Sequence, residues 1–375
     1  MIVTGEASGD LHAANLIRAA RRIDPELEFF GVGGKLMARE GCEILLSGDD
    51  LAVMGLVEVL GHFPSIYKAF KRLEAVLKGA QPPDVLILID FPDFNLRLAK
   101  KAKEAGVPVL YYVSPQVWAW RRGRVRKIAQ VVDRLAAIFP FEPELYRDED
   151  IEVEYVGHPL VSEAQITTSR YDYLQGHGLD PEAPVVGLFP GSRQGELKYI
   201  FETIVAAARV LRQQRPDVQF LLPVASSLEP ALFEEKLADS GLPVKVVQDN
   251  IYDTANACDA VICVSGTVTL QTALAKAPMA IVYKMNPITF AIGKRLVKVP
   301  HIGLANIVAG RGVVREFIQD AATPQAIAAE IFCILNDRDY REQIKSGLAE
   351  VRERMGEPGC SEKVARMASE MSRGN

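Results

Sequence analysis

Cysteine is sparse: five in 375 residues (Cys42, Cys258, Cys263, Cys333 and Cys360), with no paired spacing among them. That argues against a disulfide framework or a thiolate metal site, and a reducing, cytoplasmic setting is expected. Cys258 and Cys263 share a strand-like apolar stretch, where buried thiols are expected. The five histidines show no ligand spacing and no His/Asp/Glu cluster, so neither a metal nor another cofactor is expected. His158, in "VGHPL", stands near a presumed domain junction and is either structural or cleft-lining. No apolar run approaches the ~20 residues that a membrane-spanning helix needs, so any meeting with a membrane is at its surface. Arg18, Arg21 and Arg22 follow the first apolar residues instead of preceding an apolar run, so no secretory signal is expected. An excess of positive charge is missing too: 43 Lys and Arg against 48 Asp and Glu leave a net charge of −5. A general nucleic-acid binder is therefore not expected, and any basic surface is local. Low-complexity segments and short-period repeats are absent.

What is present is an ordinary globular composition, 49% hydrophobic and 24% charged, over a length that suits two domains. Short apolar runs such as "DVLILID" (84–90), "VPVLYYV" (107–113), "RLAAIF" (134–139), "PVVGLF" (184–189), "VQFLLPV" (218–224), "DAVICV" (259–264) and "MAIVY" (279–283) read as strands. Helix-length stretches fall between most of them, at 93–105, 195–215, 227–239, 266–276 and 323–335. Continuous apolar strands alternating with helices predict parallel sheets covered on both faces, a doubly wound α/β class. The pattern lapses into polar, turn-rich sequence at 157–184 and then restarts, so two domains are expected, 1–157 and 158–345, with C-terminal helices over 346–375.

Both presumed domains open with a strand, a glycine-containing loop and a helix: "TGEASGD" (4–10) in the first and "FPGSRQGE" (189–196) in the second. Helix N-termini at strand ends favour anions, Gly191 permits close backbone approach, Ser192 can donate or cap, and Arg193 is a fixed cation suited to a diphosphate. A capped helix entry with a solvated Arg193 is the plain alternative. In "VSGTVTLQTALAKAPM" (264–279), Ser265, Gly266 and Thr267 again join a strand to a helix, and Gln271 lies one turn on, within reach of a ribose hydroxyl; ordinary N-capping competes. Asp90 ends the strand "LILID", a position from which a carboxylate can act as general base, whereas Asp93 suits an N-cap. "YYVSPQVWAWRRGRVRKI" (111–128) sets two tryptophans before five cations and suits a phosphate-bearing or membrane-surface ligand better than nucleic acid. In 51–79 an apolar stretch precedes a helix with Ile66, Phe70, Leu73 and Leu77 on one face. Core packing explains that stripe, and the flanking cations also suit an interfacial patch on anionic lipid formed by Met54, Val57, Leu60, Phe63, Lys68, Lys71 and Arg72.

Taken in order, "GEASGD", "LAVMGLVEVL", "IDFPDFN", "YVSPQVWAWRRGRVRKI", "PFEPELY", "VGHPL", "FPGSR", "SGTVTLQTALAKAP" and "LANIVAGRGVVREFIQ" resemble the lipid-A-disaccharide synthase family over nearly the whole chain. The resemblance implies an inverting, metal-independent glycosyltransferase of the GT-B fold, two Rossmann-like domains facing a cleft, with the C-terminal helices crossing back to the first. It implies transfer from UDP-2,3-diacylglucosamine to 2,3-diacylglucosamine 1-phosphate, giving a β-1,6 disaccharide 1-phosphate and UDP, at the inner face of the cytoplasmic membrane. Oligomeric state stays open, with a homodimer admitted. By the family's motifs, Asp90 is the general base; Gly191, Ser192, Arg193, Ser265, Gly266, Thr267, Gln271, Asn306, Arg311 and Glu316 fall on the UDP-sugar side. Glu6, Ser8, Gly9, Asp10, Trp118, Arg121 and Arg122 then fall on the acceptor side, with Ser8 or Asp10 as a plain helix cap the alternative. One departure stands out: the family usually has Glu where this chain has Gln271, which predicts weaker UDP binding. Another GT-B enzyme, such as a polyprenyl-acceptor N-acetylglucosaminyltransferase or a UDP-sugar 2-epimerase, is the nearest alternative, and a non-catalytic nucleotide-sugar or lipid binder is a further one.

Overall fold

The computed structural model describes residues 1–5, 7–48, 59–118, 123–192, 194–225, 227–287, 289–290 and 299–374. The chain forms two compact units, one of Met1–Pro159 with Gly356–Asn375 and the other of Leu160–Met355. A boundary at 345 would cut through the helix Arg338–Arg354, which lies whole in the second unit.

The first unit holds seven parallel strands: β1 (Ile2–Thr4), β2 (Phe30–Gly33), β3 (Glu43–Ser47), β4 (Leu86–Ile89), β5 (Val109–Tyr112), β6 (Arg134–Ala137) and β7 (Glu152–Tyr155). Their order is β3-β2-β1-β4-β5-β6-β7. The sequence order reverses between β1 and β4, whose register pairs Thr4 with Ile89. Open α/β sheets bind ligands beyond the strand C-termini at such a reversal. Strands β1, β4 and β5 are buried along their length because helices cover both faces. Helix Val59–Leu77 contributes Leu73 and Leu77 to that core, with Ile66 and Phe70 partly buried against it, so the expected stripe is a packing face. After Met355 the chain returns to this unit, where helix Cys360–Ser372 packs on helix Ala7–Ile23. There Asp24 accepts from Ser369 Oγ at 2.6 Å and Arg373 at 2.7 Å.

The second unit repeats the plan with β8 (Val185–Phe189), β9 (Gln219–Pro223), β10 (Val244–Val247), β11 (Ala260–Val264), β12 (Met279–Tyr283) and β13 (Glu316–Ile318), ordered β10-β9-β8-β11-β12-β13. Here the reversal lies between β8 and β11, where Phe189 pairs with Cys263. Both units are therefore Rossmann-like, as the apolar periodicity predicts. The thiols of Cys258 and Cys263 are buried in this unit. Among the described residues no helix is long and apolar enough to cross a membrane.

Candidate active site

In the first unit, the residues after β1 and β4 meet across the strand-order reversal. "TGEASGD" enters helix Ala7–Ile23. Gly9 is required there by close approach: a Cβ would stand 1.8 Å from Thr4 Oγ1. Ser8 is exposed. Asp10, expected on the acceptor side, has its carboxylate committed elsewhere. It accepts from the amides of Gly34 at 2.7 Å, Leu36 at 3.0 Å and Met37 at 3.2 Å, and so caps helix Lys35–Arg39 rather than its own. Asp10 thus tethers two elements and is 8% exposed. Glu6 lies outside the described residues.

Asp90 follows β4 directly and is half-buried. It has φ +50°, and Phe91 has φ +48°, a left-handed pair of non-glycine residues that costs about 1–2 kcal/mol each. The turn is held through the Asp90 carbonyl, which accepts from Asn95 Nδ2 at 2.7 Å and Tyr111 Oη at 2.7 Å. Asn95 also reaches the Ile89 carbonyl at 3.3 Å. Burial, reinforced by the Asp90 charge, raises the Tyr111 phenol well above its ordinary range, so this donor keeps its proton. Such strain surrounded by fixed donors is typical of a preorganised functional residue. Asp93 is not the cap of helix Pro92–Glu104; it sits in the first turn, paired with Arg124 at 2.6 Å.

Trp118 is 8% exposed and meets the rings of Phe139 and Phe141 edge-on. Among the described residues its indole Nε1 has no hydrogen-bond partner. Arg121 and Arg122 lie outside the described residues. Beside Trp118 the sheet gathers buried titratable groups: Glu142 and His12, which the sequence did not single out, and His158, which it left as structural or cleft-lining. Burial pushes the Glu142 carboxyl up to about 7, although its Oε2 accepts from the Ile138 and Phe139 amides at 3.0 Å each. Burial also lowers His12 to about 4 and, with repulsion from His12 added, His158 to about 3. His158 packs on Phe139 at 5.2 Å between ring centroids, so it belongs to this unit's interior. Only the burial of the surrounding chain creates this environment, and no sequence signal carries it.

In the second unit, register brings Gly191 and Ser192 after β8 beside Ser265 and Gly266 after β11. Gly191 has φ +90° and opens the way to helix Gln194–Gln214, whose N-terminal amides form an anion-favouring end. Arg193 falls outside the described residues. Thr267 starts helix Thr267–Leu274 with Gly266 as its N-cap. Ser265 Oγ donates to the Ile302 carbonyl at 2.8 Å. That links it to Glu316, which accepts from the amides of Ile302 and Gly303 at 3.0 Å each and from Asn306 Nδ2 at 2.8 Å. Asn306 accepts in turn from Val313 at 2.8 Å and Val314 at 3.0 Å, and is 1% exposed. Ser265, Asn306 and Glu316 thus form one network that holds the segment 301–316, with its short helix Leu304–Ala309, against the strand ends. Arg311 stands apart: it faces solvent and pairs with Glu350 at 2.6 Å. Gln271 is half-buried and its amide faces the Tyr252 phenol, whose hydroxyl donates to the Leu160 carbonyl at 3.4 Å.

Of the expected membrane patch, Met54 and Val57 and the side chains of Leu60 and Phe63 lie outside the described residues. Lys71 is engaged by Glu74 at 2.8 Å, while Lys68 and Arg72 are exposed beside Tyr67.

The family described as lipid-A-disaccharide synthetase matches residues 1–369. The chain is 67% identical over 373 residues to the lipid-A-disaccharide synthase of Syntrophotalea carbinolica, covering 100% of this chain and 95% of that protein. It is similar in fold to the putative UDP-N-acetylglucosamine 2-epimerase from Listeria monocytogenes (TM-score 0.68, 11% identity, 100% of this chain and 96% of that one). The glycotransferase of kitacinnamycin is likewise similar, with a TM-score of 0.63, 15% identity, and 99% and 98% coverage. At such identities the solved structures speak for the fold alone.

Proposed function

The chain belongs to the lipid-A-disaccharide synthase family, and from that membership we propose which of its residues carry the reaction. The enzyme is a glycosyltransferase of lipid A disaccharide synthesis, using a UDP-sugar donor and a lipid acceptor. UDP-2,3-diacylglucosamine and 2,3-diacylglucosamine 1-phosphate are the proposed pair. Asp90 removes the proton of the acceptor 6-hydroxyl as that oxygen attacks the anomeric carbon on the face opposite UDP, which inverts the configuration. The donor is held in the second unit. There Arg193 and the helix N-termini after β8 and β11 stabilise the negative charge gathering on departing UDP. Ser265, Asn306 and Glu316 keep those loops in shape.

The observation that carries the reading is the Asp90 turn: a left-handed acid at a strand-order reversal, its carbonyl held by two side-chain donors. A carboxylate needed only for packing would have no use for that strain. Replacing Asp90 by Ala or Asn is expected to lower kcat by about 10²–10⁴-fold, the usual range for a lost general base, with UDP affinity near normal. Loss of UDP affinity together with turnover would assign Asp90 a structural role instead.

The proposal extends to location. Segment 51–79 docks on an anionic membrane surface at the cytoplasmic face, a reading supported by outward Lys68 and Arg72 and by Tyr67, which is 55% exposed. Salt-sensitive sedimentation with anionic vesicles, weakened by Lys68→Gln with Arg72→Gln, is the matching test.

A further inference from the structure

The second unit contains a cavity of about 670 Å³ that none of the donor residues line. Cys258, Asp259 and Pro278 in its wall immediately precede β11 and β12. Ser265 and Gly266 follow β11, so the two places lie at opposite ends of a five-residue strand, about 16 Å long. Five cations line the cavity (Arg170, Lys276, Arg341, Lys345 and Arg352) against a single carboxylate, Asp259. This concentration of positive charge occurs in a chain whose net charge is −5.

The carboxylate does not neutralise them. Asp259 Oδ2 accepts from Arg170 at 2.9 Å and from the Val185 amide at 2.8 Å, so its charge is committed to one cation and the backbone. Arg341, Lys345 and Arg352 recur at helical spacing along helix Arg338–Arg354, which sets them on one face. Arg341 is oriented by the carbonyls of Ile334 at 3.3 Å and Leu335 at 3.2 Å. Among the described residues, Lys276 and Arg352 have no acidic partner. Lys276 is moreover held at φ +57°, unusual for a long side chain. Guanidinium forks match phosphate oxygens in pairs, and a concave wall of one sign focuses the field on an anion. The rest of the wall is mainly apolar, with Leu274, Ala277 and Pro278 beside Tyr252, and Asn256 adds a neutral amide. The volume falls in the range of small-molecule sites.

We propose that this cavity is a second anion site of the enzyme, binding a phosphate monoester whose organic body rests on the apolar wall. The phosphate is carried either by a soluble metabolite or by a lipid headgroup. The proposal stands apart from the donor and base assignments above.

The test uses the full chain with saturating UDP, so that the donor loops are occupied. Inorganic phosphate is titrated by calorimetry against NaCl of equal ionic strength. In a second arm, phosphatidylcholine vesicles are compared with and without phosphatidic acid in a Lys68→Gln, Arg72→Gln background, which removes the anionic-surface attraction proposed for segment 51–79. The variant pairs Lys276→Asn, whose side chain tolerates the left-handed backbone, with Arg352→Gln. Lys345→Gln, whose ammonium meets only exposed Glu342 at 3.5 Å among the described residues, is a second variant in case the first misfolds. Saturable phosphate binding, weakened at least tenfold in the double variant with UDP affinity and melting midpoint unchanged, supports the site. Vesicle binding that requires phosphatidic acid and is lost in the same variants assigns the phosphate to a lipid headgroup; indifference to phosphatidic acid assigns it to a soluble ester. Neither phosphate nor phosphatidic acid binding beyond the salt control, or phosphate binding that survives the cavity variants, overturns the proposal.

Discussion

The Tyr111 hydroxyl donates to the Asp90 carbonyl at 2.7 Å, tying the fully buried strand β5 to the residue after β4. The contact is to backbone, so it fixes where the Asp90 carboxylate projects without touching it. Tyr111→Phe keeps the ring and leaves the Asn95 bond in place. It is expected to destabilise the fold by about 1 kcal/mol, the net worth of one hydrogen bond. Turnover should fall roughly 3–10-fold at unchanged KM for the donor, the pattern of lost preorganisation. Steady-state kinetics with both substrates varied checks this. A rise in donor KM at constant kcat would show that the turn serves binding instead.

The donor-side network makes a contrast between two residues that the family resemblance treats alike. Asn306→Ala strands the Val313 and Val314 amides and the Val314 carbonyl in a buried place. A cost of about 2–4 kcal/mol and markedly weaker UDP binding are expected. Arg311→Ala removes only an exposed ion pair with Glu350 and is expected to change UDP affinity by less than about twofold. Calorimetric titration of UDP into both variants decides. Equal losses would place Arg311 in contact with the donor.

The sequence disclosed the strands that run through the middle of each sheet, because helices bury both their faces and their residues read as unbroken apolar runs. "LILI", "VLYY" and "AVICV" are of this kind. The strands that escaped notice are the edges β3, β7, β10 and β13, together with β2. An edge strand is half in water and takes charge, as "EVEY" and "VKVV" do, while "FGVG" in β2 interrupts its run with glycines. The site divides the same way. Asp90 was legible from its position at a strand end. Its supports were not, because Tyr111 looks like any β-strand aromatic and Asn95 like any helix polar residue until the fold brings them together. Asp10 left a choice open: a carboxylate in a glycine-rich loop suits a ligand or a helix cap, and only the tertiary path shows that the helix it caps is the next one.

The buried Glu142 gives the first unit a pH dependence of definite sign. Its folded value of about 7 lies above the ordinary 4.5 of a glutamate, so the folded state holds the proton more tightly than the unfolded one. The stability this contributes is fully present below pH 4.5 and is lost as pH rises through 7. The histidines act in the opposite sense: His12 is lowered to about 4 and His158 to about 3, so their contribution is lost as pH falls below 6.5. Glu142→Gln keeps an acceptor for the Ile138 and Phe139 amides and removes the ionisation. It should be near neutral at pH 5 and stabilising by roughly 1–3 kcal/mol at pH 8. Denaturant midpoints of both proteins at the two pH values test it; a variant equally destabilised at both would show the carboxylate stabilising in its charged form.

Gln271 is the proposed donor-side residue where the family resemblance leads one to expect Glu, and its surroundings make the exchange informative. Its amide faces as a donor the Tyr252 phenol, which burial raises beyond its usual range and whose own hydroxyl donates to the Leu160 carbonyl at 3.4 Å. A glutamate there gives up the amide donor toward Tyr252 and offers its oxygens to a ribose hydroxyl, now with charge assistance. A bond to a charged group is worth about 1.5–3 kcal/mol against 0.5–1.5 for a neutral one, so Gln271→Glu should tighten UDP by roughly tenfold. Tyr252→Phe separates the two partners. If Gln271 serves the ribose, losing the phenol leaves the gain from glutamate largely intact, because the ribose supplies its own donor. If Gln271 serves only to hold Tyr252, the glutamate variant binds UDP no better than the parent, and the ribose role is lost with it.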